Sequence, residues 1–199
     1  MARKRSQEKR ETYLSAALRL FVQNGVQNTA TADIARAAGT AAGTLFLYFP
    51  TKQDLIHALV LEIAREQSQF IHSRLQPSGS ARDAFLTIWN GSLDWFIAHP
   101  DAYAYIQQVR DSGIIADQVV QESNQHFAYY HNAIQQGLRE GSIRPYPAEL
   151  IGGVLYQVLV AVMNLIRAQP DPAQQAEYRR LGFAIFWNGI QRTGFMEEQ

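Results

Sequence analysis

Apolar residues in this chain recur at three- and four-residue spacing, nowhere alternate convincingly with period two, and are interrupted repeatedly by Gly and Pro. Such a pattern builds helices that each carry an apolar stripe, and it leaves no material for a sheet. The first stripe, Leu14, Ala17, Leu18 and Phe21, predicts a helix over residues 7–24 with Gly25 as its stop. A short second helix follows Thr31, whose hydroxyl is placed to cap it, with Asp33 suiting the dipole of its first turn; it ends at Gly39. A third covers about 41–47 and is closed by Pro50. Thr51 caps a long fourth from Lys52 toward Leu75, ~36 Å of rod at ~1.5 Å per residue. The run QPSGSA at 76–81 is the strongest break. Later breaks at 99–101, 111–113, 140–147 and 170–172 divide the remainder into about five helices, the last over 173–193. The expected fold is all-α.

The 199 residues include no Cys, so disulfides, thiolate metal sites and cysteine nucleophiles are excluded, as a reducing cytoplasm would suit. Net charge is zero, but residues 1–52 carry eight Lys/Arg against three Asp/Glu, a net +5 balanced by −5 in the rest. A basic quarter on an acidic body suggests that one end meets a polyanion. The N-terminal MARKRSQEKRE has no apolar segment behind it and does not read as a secretory signal. The uncharged run 150–166 is short of the ~20 residues of a membrane span and contains Gly152, Gly153, Gln157 and Asn164, so it is expected as a core helix, with no membrane partner.

Two short helices joined at Gly39 form a helix-turn-helix pattern, in which the second helix reads DNA. Ile34, Ala35 and Ala38 can pack on Leu45, and the second helix begins Thr40-Ala41-Ala42-Gly43-Thr44, small enough for backbone N–H groups to approach phosphates. Gly43 permits close approach, either to DNA or to the preceding helix. Phe46 suits core or interface equally.

From Thr29 to Ile56, TATADIARAAGTAAGTLFLYFPTKQDLI resembles the signature of the tetracycline-repressor (TetR) family of transcriptional regulators. The resemblance rests on Thr31, Asp33-Ile34-Ala35, Ala38-Gly39, Gly43-Thr44-Leu45, Tyr48-Phe49, Lys52 and Leu55, and it covers about the first quarter of the chain. It implies a three-helix DNA-binding domain over 1–52 and a larger helical ligand-binding and dimerisation domain over 53–199. It also implies a homodimer on a pseudo-palindromic double-stranded operator, released by a small, largely hydrophobic effector and located in the cytoplasm. Thr40, Ala42, Gly43, Thr44 and Leu47 would face DNA, Tyr48 and Lys52 would contact phosphates, and Thr31 would anchor the preceding helix. Arg3, Lys4 and Arg5 form a basic arm that either adds phosphate or minor-groove contacts or stays solvated. Three departures stand out: Ala41 where many members have a Ser or Thr cap, Phe46 where many have Tyr, and Leu47 where a polar residue is frequent. The cap is then absent or moved to Thr40, and few side chains remain to hydrogen-bond bases. Thymine-methyl contact and DNA shape would carry the selectivity.

In the body, aromatic and uncharged polar residues mix as a small-molecule chamber requires, although the alternative is that most of these aromatics simply fill the core. The candidate lining is Trp89, Trp95, Phe96, Tyr103, Gln107, Arg110, His126, Phe127, Tyr130 and Tyr156, with Arg110 and Asp111 as the charged exceptions. The resemblance implies that the last two long helices of each subunit form a four-helix dimer interface, which the apolar runs 150–166 and 181–190 suit, with Gly152, Gly153 and Gly182 for close packing and Phe183, Phe186 and Trp187 as anchors; burial within one subunit is the alternative. The five histidines, His57, His72, His99, His126 and His131, form no metal-ligand pattern, Ser92 near Asp94 makes no nucleophile motif, and no cofactor is implied. An enzyme is not expected. A ligand-independent DNA-binding module or an activator of the same fold is the alternative reading.

Overall fold

The computed structural model describes the backbone of residues 2–110 and 112–192, and the side chains of those residues from Gln7 onward. Within them lie ten helices: α1 (Ala2–Asn24), α2 (Thr31–Ala37), α3 (Ala42–Phe46), α4 (Lys52–His72), α5 (Ala81–Ala98), α6 (Pro100–Arg110), α7 (Asp117–Gln125), α8 (Ala128–Glu140), α9 (Ala148–Ala168) and α10 (Pro172–Ile190). Six helices, not about five, follow residue 80, because the chain breaks at His126-Phe127 without Gly or Pro. Two compact units result: Met1–Ser68 with Phe96–His126, and Gln69–Trp95 with Phe127–Gln199.

In the first unit, α1 turns Tyr13, Leu14, Ala17 and Phe21 fully inward, and Gly25 stops it at φ 82°. Phe21 stacks on Tyr105 of α6 at 5.8 Å and 13°, and the Tyr105 hydroxyl donates to the Ile56 carbonyl of α4 at 3.0 Å. Burial raises the Tyr105 pKa far above its usual value, so the phenol stays a donor. Gln53 Nε2 donates to the Ile114 carbonyl at 2.7 Å, and Arg10 pairs with Glu62 at 3.3 Å, where Arg65 also binds. α4 starts with a reciprocal cap. Thr51 N donates to Asp54 Oδ2 at 2.9 Å, and Asp54 N returns a bond to Thr51 Oγ1 at 3.1 Å. Ser80 and Asp83 repeat this arrangement before α5.

The second unit is organised around aromatic residues and holds all three tryptophans, each buried. Phe85 on α5 meets Phe186 at 5.5 Å, Tyr130 at 5.9 Å and Trp187 at 6.1 Å. Trp89 is covered by Phe183 and donates its Nε1 to the Arg179 carbonyl at 3.1 Å. α10 comes so close that a Cβ at Gly182 would lie 2.4 Å from Val162 Cγ2 and 2.8 Å from Trp89 Cζ2. Glu140, at the end of α8, accepts from the Ala81 amide, Gln136 and Ser142.

By length and composition α9, at 21 residues, could cross a membrane, and a third of its most apolar window is buried. Ile151, Leu155, Leu159, Val162, Met163 and Ile166 pack inward. Leu150, Val154 and Leu165 are exposed, as are Leu181 and Ile185 of α10. The helix expected in the core is thus covered on one face and bare on the other.

Candidate nucleic-acid interface

Gly39 makes the tight turn between α2 and α3. Its φ of 69° lies in the left-handed region, the Gly39 amide bonds the Arg36 carbonyl at 3.0 Å, and the Thr40 amide bonds the Ala35 carbonyl at 2.9 Å. These paired bonds satisfy the last carbonyls of α2 and send the chain into α3. The expected caps differ from those found. The residue preceding α2 is Ala30, and Thr31 is the first helical residue, where its hydroxyl does not cap. Thr29 instead bonds back to the Gly25 carbonyl at 2.8 Å. α3 is preceded by Ala41 and has no side-chain cap; the Thr40 hydroxyl donates to the Ala35 carbonyl at 3.3 Å.

α3 is anchored by Leu45, fully buried, and Phe49 just beyond it, while Ala42, Gly43, Phe46 and Leu47 are exposed. Leu47 is 82% exposed, a large apolar side chain with nothing of its own unit to cover it. Beyond the backbone of its own helix and its chain neighbours, no described atom lies within 4 Å of a Cβ built on Gly43, so its lack of a side chain serves no helix–helix contact among the described residues. Thr31, Thr40, Thr44, Tyr48 and Lys52 are half-buried. Lys52 Nζ donates to the Gln27 carbonyl at 3.1 Å, and partial burial lowers its pKa. With Gln27, Asn28, Thr29, Ala30, Thr31 and Phe46 it borders a shallow open groove of about 470 Å³. Phe46 is thereby a wall of the surface and not core. Tyr13 of α1 reaches the same region. Its hydroxyl donates to Thr40 Oγ1 at 2.9 Å and its ring lies 5.4 Å from that of Tyr48.

A short helix with an outward row of small residues and one large apolar tip, set on a fixed base beside a lysine, has the geometry of a DNA-reading helix. Residues 14–59 match the sequence profile of the bacterial regulatory proteins of the tetR family. A solved protein of Shewanella sp. PV-4, assigned to the tetR family of transcription regulators, is 31% identical and superposes with a TM-score of 0.87 over 93% of this chain and 99% of its own. The chain belongs to the TetR family. The HTH-type transcriptional regulator YhgD of Bacillus subtilis is 23% identical across 78% of this chain and 83% of its own length. AcrR of Shigella flexneri reaches 48% identity, but over 58 residues that cover 28% and 27% of the two chains. This TetR-family chain is accordingly a ligand-responsive, DNA-binding transcriptional regulator and not an enzyme.

Other candidate residues of this TetR-family chain are distributed as follows. The side chains of Arg3, Lys4 and Arg5, and Asp111, lie outside the described residues. Among the chamber candidates, Phe96 and Tyr103 are buried edge-on at 5.3 Å in the first unit, with Gln107 and His126 half-buried and Arg110 exposed. The Ser68 hydroxyl donates to the His126 carbonyl at 2.5 Å. In the second unit Trp89 and Trp95 are buried, and Trp89 is a satisfied core residue; Phe127, Tyr130 and Tyr156 are half-buried. The Tyr130 hydroxyl donates to the Ala148 carbonyl at 3.3 Å, and burial, with the nearby Glu149 charge, raises its pKa. Of the dimer-face residues, Gly182, Phe183, Phe186 and Trp187 are turned into the core around Trp89, Val162 and Phe85. Gly152 approaches the Tyr130 hydroxyl, and Gly153 is exposed. Intramolecular packing explains the first four, and α9 and α10 present other side chains outward. Tyr13 was not among the sequence candidates, although its position four before Ala17 and eight before Phe21 puts it on the inward stripe.

Proposed function

We propose that the chain is a homodimeric repressor that binds a pseudo-palindromic operator and leaves it when a small, largely hydrophobic molecule binds. The observation that carries this reading is the outward row formed by Ala42 and Gly43 of α3 and by Leu47 just after it, on a base fixed by Leu45 and Phe49. Thr44, Tyr48, Lys52 and Thr31 are the proposed flanking contacts; Thr40, expected to face DNA, is left out of them because its hydroxyl is held between Tyr13 and the Ala35 carbonyl. With Leu47 as the prominent tip and no amide or guanidinium on α3, thymine methyls and groove shape supply the selectivity. The partner for dimerisation is a second copy of this chain. Leu150, Val154, Gln157 and Ala161 recur on the exposed side of α9 at coiled-coil spacing, and Leu181 and Ile185 stand exposed on α10. Effector contacts are assigned to Phe127, Tyr130 and Tyr156, half-buried in the second unit.

The test begins with selection of duplexes from a random library. The enriched sequence should be two-fold symmetric, and replacing its thymines by uracil should weaken binding while 7-deazapurines leave it unchanged. Sensitivity to the deazapurines alone would sink the thymine reading. An asymmetric site, or light scattering that finds a monomer at micromolar concentration, would remove the dimeric repressor. Ile185→Glu should convert a dimer to monomer and abolish operator binding with it.

A further inference from the structure

α3 has five residues and no side-chain cap. A helix of that length has no stability of its own, so its orientation is set by what touches its two ends. One side chain touches both. Tyr13 is fully buried on α1; its hydroxyl donates to Thr40 Oγ1, two residues before α3, and the same Thr40 hydroxyl donates onward to the Ala35 carbonyl of α2. Its ring meets Tyr48 at 5.4 Å and, edge-on at 86°, Phe49 at 6.4 Å, the residues that follow α3. The phenol thus grips the chain on both sides of the reading helix, and the hydroxyl relay links α1, the turn and α2 in one line.

We propose that Tyr13 is a positioning residue for sequence reading: through Thr40 and Tyr48 it fixes the angle at which α3 meets base edges, without touching DNA itself. The inference rests on α3 being the reading helix. A buried polar relay specifies one arrangement where apolar packing alone permits several, because its donors and acceptors are met in that arrangement only. Losing the relay should therefore blur recognition of the correct sequence more than attachment to the phosphate backbone, which depends on lysine and arginine charge.

Tyr13→Phe keeps the ring and removes the hydroxyl; Thr40→Val keeps the shape and removes the other half of the relay. The probes are the duplex enriched by the wild-type protein and a scrambled duplex of equal length, bound by the full chain over a salt series. Each variant should lose about three- to tenfold in affinity for the enriched duplex, the range spanned by one intramolecular hydrogen bond. Affinity for the scrambled duplex and the salt slope should stay at wild-type values, and the double variant should lose no more than either single one. Binding of the enriched duplex within about twofold of wild type, or parallel losses on both duplexes, would overturn the role of Tyr13, the latter marking a merely structural residue. Should Tyr13→Phe fail to fold, Thr40→Val decides by the same comparison. If the wild-type protein enriches no sequence, the reading of α3 fails, and this inference with it; a wild type that selects beside variants that match it overturns the inference alone.

Discussion

Replacing Gly182 by Ala tests whether α10 turns this glycine into its own subunit or toward a partner. The added Cβ would sit 2.4 Å from Val162 Cγ2, 2.8 Å from Trp89 Cζ2 and 3.0 Å from Trp89 Cη2. Optimal carbon–carbon contact is about 3.5–4.0 Å, so Val162 must retreat by at least about 1 Å. It has little room: Val162 is a β-branched residue inside α9, and Trp89 is fully buried with its Nε1 held by the Arg179 carbonyl. Overpacking of this kind costs about 1–3 kcal/mol, against which removing a mid-helix glycine returns about 0.5–1 kcal/mol. The net loss should be about 1–2 kcal/mol, or ~2–8 °C in Tm for a chain of this size. Thermal and urea unfolding at several protein concentrations measure it and separate subunit stability from dimer dissociation. Val162→Ala in the same chain should rescue it, giving a coupling energy of at least about 1 kcal/mol in a double-mutant cycle. Unchanged stability with a concentration-dependent loss of dimer would refute the inward packing and return Gly182 to an interface.

Two further outcomes follow from the first unit. Thr51→Ala should cost about 0.5–2 kcal/mol by denaturant titration, because it removes the cap of α4, whereas Thr31→Ala, already inside α2, should leave stability within about 0.5 kcal/mol. Glu62 is penalised by burial, but hydrogen bonds and charge from Arg65 and Arg10 outweigh that and hold its carboxyl below the usual value of 4.5. Its contribution is therefore complete above that pH and is lost as pH falls through the depressed folded value. The stability gap between wild type and Glu62→Gln should shrink steadily on acidification below 4.5; a gap that is constant or grows refutes the pairing.

Much of the fold was legible in the residues, and the gaps have physical causes. Gly39 could be assigned to the turn because a backbone amide pair there requires a left-handed residue, and Thr51 to a cap because Pro50 ends one element just before it. Thr31 misled because Thr29-Ala30-Thr31 offers two hydroxyls around the start of α2, and composition cannot say which residue is the last non-helical one. The break between α7 and α8 carries no Gly or Pro and left no mark. In α10 the apolar residues nearly encircle the helix. Leu181 and Ile185 were therefore indistinguishable by type from Phe183, Phe186 and Trp187, and only packing on Phe85 and Trp89 separates outward from inward. Tyr13 was hidden for a similar reason: periodicity marks its side, but not the hydroxyl partner 27 residues away.

The confinement of Trp89, Trp95 and Trp187 to the second unit gives the protein a natural optical asymmetry. Indole emission arises only in the second unit, and the unit that carries α3 contributes none. Contact quenching by acrylamide would therefore report the accessibility of side chains in the second unit. A tryptophan placed at Leu47, where the side chain stands in solvent, would in an indole-free background signal the arrival of DNA and nothing else.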